Sequence, residues 1–162
     1  MNRRLLWNCH RGARWPIALA LALLVTGCQT STQSLFTISG PGWRIQEGQA
    51  LWRPGRKYPE LGGEIVVATH PDGRCLVEFS KTPLPLVQAQ TTRTNWLIRF
   101  PPRQMGFAGR HSPPTQFGWL YLRPALAGEK LPAGFQFQQL QDGGWRLENV
   151  RSGETLSGFL AP

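Results

Sequence analysis

Apolar and polar residues alternate with a period of two in short stretches along most of this chain. Trp43-Arg44-Ile45-Gln46 alternates, and residues 49–53 resume the pattern after Gly48. Residues 54–61 form a basic, proline-containing turn region, and residues 63–69 read as a strand rich in β-branched side chains. His70-Pro71-Asp72-Gly73 predicts a tight turn, because Pro71 presets φ and Gly73 allows a positive one. Residues 75–80 then return antiparallel, completing a hairpin. Residues 83–90 are extended but hold Pro83 and Pro85, which predicts an edge or irregular strand. In residues 94–100, Trp96, Ile98 and Phe100 share one face, and Asn95, Leu97 and Arg99 the other.

Residues 101–114 read as a long loop. Residues 116–127 are the one helix-like stretch, and Pro124 should confine the helix to a turn or two on its N-terminal side. Phe135 and Phe137 alternate with glutamines up to Leu140, Asp142-Gly143-Gly144 turns the chain, and residues 145–150 form the returning strand. Arg151-Ser152-Gly153-Glu154 reads as a further turn before a closing strand over 155–160. About eight strands and one short helix predict a mainly β fold. The expected form is a single antiparallel domain with a barrel-like, half-barrel or sandwich sheet.

The N-terminus follows another pattern. Arg3, Arg4, Arg11 and Arg14 precede an unbroken apolar run over residues 17–25, too short to span a bilayer as a permanent helix. Leu24-Val25-Thr26-Gly27-Cys28 then resembles the lipobox of bacterial lipoproteins. That resemblance implies cleavage before Cys28 and acylation of Cys28, with a membrane anchor made of several acyl chains. The expected division is a signal peptide over 1–27, an acylated cysteine and polar tether over 28–41, and an antiparallel β domain over 42–162.

Cleavage would change the charge. Removing the four signal arginines leaves fourteen basic against nine acidic residues, so +9 becomes +5. A moderately basic, arginine-rich surface suits anionic lipid headgroups, and no motif asks for nucleic acid. Cys9 would leave with the signal and Cys28 would be lipidated, so Cys75 has no partner for an intramolecular disulfide. Its strand context predicts a packed thiol.

Catalytic chemistry finds little support. His70 and His111 lie in proline-flanked loops without metal-ligand spacing, and no CxxC, nucleophile elbow or phosphate loop is present. Glu60, Glu64 and Glu78 read as solvent-facing strand positions. The expectation is a protein that is not an enzyme and takes no cofactor or metal. What stands out is apolar: Trp43, Trp52, Trp96, Trp119 and Trp145, with eight phenylalanines. Trp43, Trp52, Trp96, Ile98, Phe100, Trp119, Phe137, Trp145 and Leu147 are candidates for a core or for the lining of an apolar cavity. In the predicted loop, Met105 and Phe107 stand between glycines with Arg103 and Arg110 nearby. They are either tucked into the core or form a contact tip for a membrane or partner.

Three stretches resemble the LolA/LolB lipoprotein-carrier group: Gln29 after the lipobox cysteine, Pro114-Thr115-Gln116-Phe117-Gly118-Trp119-Leu120, and Leu140-Gln141-Asp142-Gly143-Gly144-Trp145-Arg146-Leu147. The resemblance covers mainly the C-terminal half. It implies a lipid-anchored, periplasm-facing protein of the outer membrane that binds or transfers lipoprotein acyl chains in an apolar concavity and meets a periplasmic carrier. Residues 29–39 are too short and polar for the long N-terminal helix of that group, and the prolines at 83, 85, 101, 102, 113 and 114 depart from its pattern. The other reading from the same residues is a lipid-anchored accessory subunit of an envelope complex, with no ligand cavity.

Overall fold

The computed structural model describes residues 34–161. Cys28, its flanking signal and residues 29–33 of the expected tether lie outside that range. Nine strands follow in chain order: β1 (Arg44–Arg53), β2 (Leu61–Thr69), β3 (Cys75–Lys81), β4 (Leu84–Thr91), β5 (Asn95–Phe100), β6 (Met105–Arg110), β7 (Phe135–Gln139), β8 (Trp145–Asn149) and β9 (Glu154–Leu160). They form one antiparallel sheet in the order β6-β5-β4-β3-β2-β1-β9-β8-β7. The sheet does not close, so β6 and β7 are its two edges. Among the described residues the only α-helix is α1 (Leu122–Leu126), preceded by a 3-10 turn over Gly118–Tyr121.

The middle of the sheet depends on glycine. Gly63 and Gly158 pair with Ala50 from either side. A methyl group on Gly158 would lie 2.2 Å from the Gln49 carbonyl, and one on Gly63 2.3 Å from that of Ser80. Backbones approach here too closely for any side chain. Alternation then sends Trp52, Ile65, Val67, Val77, Phe79, Val87, Ala89, Trp96, Ile98, Leu147 and Leu156 into one core on one face. The 3-10 turn and α1 lie across that face, burying Trp119, Leu120, Tyr121, Leu122 and Ala125.

Four expectations need correction. The stretch over 101–114 is not all loop: after a 3-10 turn at Pro101–Arg103, Met105–Arg110 pair with β5 as an edge strand. Glycines and alanine hide a strand whose ladder supplies its order. Residues 84–91 are irregular, as one of the two expectations had it, but not an edge throughout: the register with β3 shifts between Phe79 and Ser80, residues 84–87 pair with β3 alone, which tolerates Pro85, and Gln88–Thr91 pair with both β3 and β5. The helix follows the 3-10 turn and contains Pro124 instead of stopping ahead of it. Pro124 is its third residue, where the backbone N–H has no intrahelical acceptor to lose. Glu154, read as a turn residue, starts β9 and is buried.

The segment after residue 34 also departs from a free tether. Gln90, on the outer face of β4, accepts the Leu35 N–H at 2.7 Å and donates to the Phe36 carbonyl at 3.1 Å. Residues 35–43 therefore strap the sheet's outer face and cover Leu97.

Candidate functional site

The concave face collects eight of the nine proposed core or cavity residues. Trp96, Ile98, Trp119, Trp145 and Leu147 are buried, and Trp52, Phe100 and Phe137 pack against them partly buried. Trp43 is not among them. It lies on the outer face, 5.5 Å from the Phe36 ring and 5.1 Å from the His70 ring, with the Arg74 guanidinium 5.0 Å from its centre. Asp72 ties that cluster together, 2.9 Å from His70 Nδ1 and 2.7 Å from Arg74 Nε. The Arg74 backbone N–H, with the His70 and Arg74 side chains beside it, holds the Asp72 carboxyl down at about 2.

Aromatic contacts run continuously from the core to the β6 edge. Phe79 and Trp119 are 5.1 Å apart, Trp119 and Trp52 5.7 Å, Trp52 and Phe100 6.3 Å, Phe100 and Phe117 6.1 Å, and Phe117 and Phe107 5.2 Å. Phe107 pairs with Ile98 and Met105 with Phe100, so both project onto the concave face rather than from a loop tip. They remain 38% and 44% exposed because they form its open rim. Arg103 lies in the turn before β6, and Arg110 ends the strand on the opposite face.

Polar side chains pin the covering segment at its entrance. Asn149 donates to the Thr115 carbonyl at 2.7 Å, and Glu154 accepts the Gly118 N–H at 2.8 Å. The second Glu154 oxygen accepts the Trp52 indole N–H at 3.1 Å. Burial pushes the Glu154 carboxyl up to about 7, against those two donors. A methyl on Gly118 would meet the carboxylate at 2.9 Å, which accounts for the glycine. Sequence reasoning missed Glu154 and Asn149 because nothing local marks a polar residue as buried. The only signal was the spacing of the Asn149–Glu154 turn, which places both side chains at the same end of the β8–β9 ladder.

Three buried indoles, Trp96, Trp119 and Trp145, have no hydrogen-bond acceptor for Nε1 among the described residues. Cys75 is buried, and desolvation pushes its thiol up to about 12, so it is a poor nucleophile. Among the described residues no group of three or more His, Cys, Asp or Glu is placed to hold a metal ion. Glu64 and Glu78 each take a neighbouring donor: Glu64 accepts from Thr82, and Glu78 from Gln88.

The outer face carries a shallow groove of about 730 Å³ over the middle strands, where Leu51 and Phe159 stand exposed beside Gly62, Lys81 and Leu140. Its floor follows the glycines at 62, 63 and 158. No protein-family model matches the chain, and no curated protein matches it. The chemistry on view at the concave face is apolar contact, with a few buried indole donors and one buried carboxyl.

Proposed function

We propose that this protein is a lipid-anchored, non-enzymatic component of the bacterial envelope that receives acyl chains on its concave face, in the manner of the LolA/LolB carriers. The observation that carries this reading is the aromatic track on an unclosed sheet, from the exposed rim at Phe107 through Phe117 and Phe100 to Trp52 and Trp119. A nine-residue helical segment, Gly118 to Leu126, is the cover over much of that face. An acyl chain would displace it and take over its apolar contacts. The unpartnered indole N–H groups could then donate to the carbonyl oxygens of an acylated ligand. Transfer would run down an affinity difference between apolar surfaces, with no covalent step. The proposed setting is the outer membrane, facing the periplasm, with acyl chains on Cys28 as anchor.

One observation favours a second reading. Trp119 and Leu122 are themselves packed away on the concave face, at 1% and 0% exposure. A filled face suits an accessory subunit that binds a partner through its rim and holds no ligand. A photoactivatable palmitoyl peptide separates the two. Crosslinks to Trp52, Phe100 or Phe117, lost in competition with a lipoprotein acyl chain, support the acyl-handling reading. An intact fold without crosslinks on this face rejects it in favour of the accessory subunit.

A further inference from the structure

Charge is divided unevenly over the sheet. Residues 79–128 contain no Asp or Glu, yet hold Lys81, Arg93, Arg99, Arg103, Arg110 and Arg123. The remaining described residues carry eight cations against nine acids. Arg123 is paired with Glu129 at 2.9 Å, and the other five cations make no ion pair among the described residues. All five belong to β3–β6 or their connections. Arg93 lies in the β4–β5 turn, Arg103 in the β5–β6 turn, and Arg99 and Arg110 on the outer face of β5 and β6. The buried Nη2 of Arg99 has no acceptor among the described residues.

The described chain begins at the same place. Ser34 and Phe36 lie beside Leu97 and Arg99 on the outer face, and Gln90 clamps the backbone of Leu35 and Phe36. Six residue steps separate Ser34 from Cys28. At full extension they span about 20 Å. A protein acylated at Cys28 therefore keeps this corner of the sheet within about that distance of the bilayer, a few Debye lengths at physiological salt.

We propose that the β4–β6 wing of the sheet lies on a bilayer surface carrying anionic phospholipid headgroups. The unpaired cations answer the headgroup charge, and the short link to Cys28 delivers this wing rather than the β7–β9 side. Met105 and Phe107, exposed at the same edge, come to headgroup level, where partial insertion of apolar side chains is favourable. The inference rests on acylation of Cys28 but not on acyl transfer, so failure of the palmitoyl crosslinking leaves it standing.

The test uses the acylated full-length mature protein in vesicles of phosphatidylcholine alone or with about one-third phosphatidylglycerol. Intact mass first verifies the acyl chains, and their absence would overturn the proposal. A fluorophore on Ala108→Cys reports the outer face of β6, one on Gln138→Cys reports β7 at the other edge, and acrylamide serves as aqueous quencher. We expect quenching at 108 to fall about threefold in the anionic vesicles only, and quenching at 138 to stay unchanged. The protection should vanish at about 1 M salt, and in an Arg103→Gln/Arg110→Gln variant whose circular dichroism is unaltered. Equal quenching of 108 in the two vesicles, protection that survives the double substitution, or protection before vesicles are added would each overturn the proposal.

Discussion

The two faces of this sheet bear similar residues and are covered by different means. On the concave face, Trp119, Leu120 and Leu122 enter among Phe79, Trp52 and Leu156, and a single carboxylate, Glu154, serves the backbone of the covering segment. On the outer face, Phe36 and Trp43 stack on each other beneath the Arg74 guanidinium, with His70 tilted against Trp43, held by Gln90 and by an exposed ion pair. The first cover excludes water from whole rings. The second leaves its aromatics only partly buried and relies on hydrogen bonds and cation–π contacts, each worth little in water. An aromatic residue in a β pattern is thus no guide to its energetic weight until its cover is known.

The difference predicts a hierarchy. Trp119→Ala should cost about 4 kcal/mol in urea unfolding, because a cavity replaces an indole with 1% exposure. Trp43→Ala should cost about 1 kcal/mol, from lost stacking and cation–π contact. Equal losses at the two sites would break the distinction between dry and wet covers.

Glu154 sharpens it through pH. Its folded carboxyl titrates near 7 against an ordinary 4.5, so the folded state binds the proton more tightly. Stability from this group is complete below about pH 4.5, declines as pH rises towards 7, and is flat above. The span is on the order of 3 kcal/mol. Glu154→Gln should remove that slope, and an unchanged stability profile between pH 4.5 and 7 would show that Glu154 is not the group responsible. The Asp72 carboxyl on the outer face, held at about 2, should contribute no slope in this window.

Gly158→Ala tests the frame that both covers need. Its methyl would meet the Gln49 carbonyl at 2.2 Å, so a loss of about 2–3 kcal/mol is expected, measured by thermal unfolding. Gly128→Ala, at a positive φ but with open space around it, should cost only about 1 kcal/mol from backbone strain. The rim should be as tolerant as Gly128. Met105→Ser with Phe107→Ser should lower stability by about 1 kcal/mol and leave the circular dichroism spectrum unaltered, since each side chain is already more than a third exposed. Palmitoyl crosslinking at Phe117 should drop in this double variant if acyl chains enter over the rim.

The period-two pattern of residues 63–69, 75–80, 94–100 and 145–150 made those strands legible, because each must present one apolar face. His70-Pro71-Asp72-Gly73 likewise marked its turn by local chemistry, and Gly73 takes the positive φ, +94°. β6 was illegible, since Gly106, Ala108 and Gly109 have no pattern of their own and are ordered only by the β5 ladder. The candidate concave residues were legible as a set, but Trp43 shows why the set alone misleads: alternation gives parity within one strand, not which face a neighbouring segment will cover.

Local sequence, through backbone sterics and side-chain period, determined that this chain makes short antiparallel strands with aromatics on alternating faces. It also determined the acid-free stretch that makes one wing basic. Only the tertiary structure decided that the sheet stays open, that residues 118–126 close its concave side, that Glu154 becomes a buried acid, and that residues 35–43 return across the outer face. Those outcomes depend on contacts between residues 34 to 102 positions apart, such as Thr115 with Asn149, Gly118 with Glu154, Leu35 with Gln90 and Trp52 with Glu154. Their energy comes from desolvation and from hydrogen bonds that form once both partners are in place, and no local window of sequence contains both.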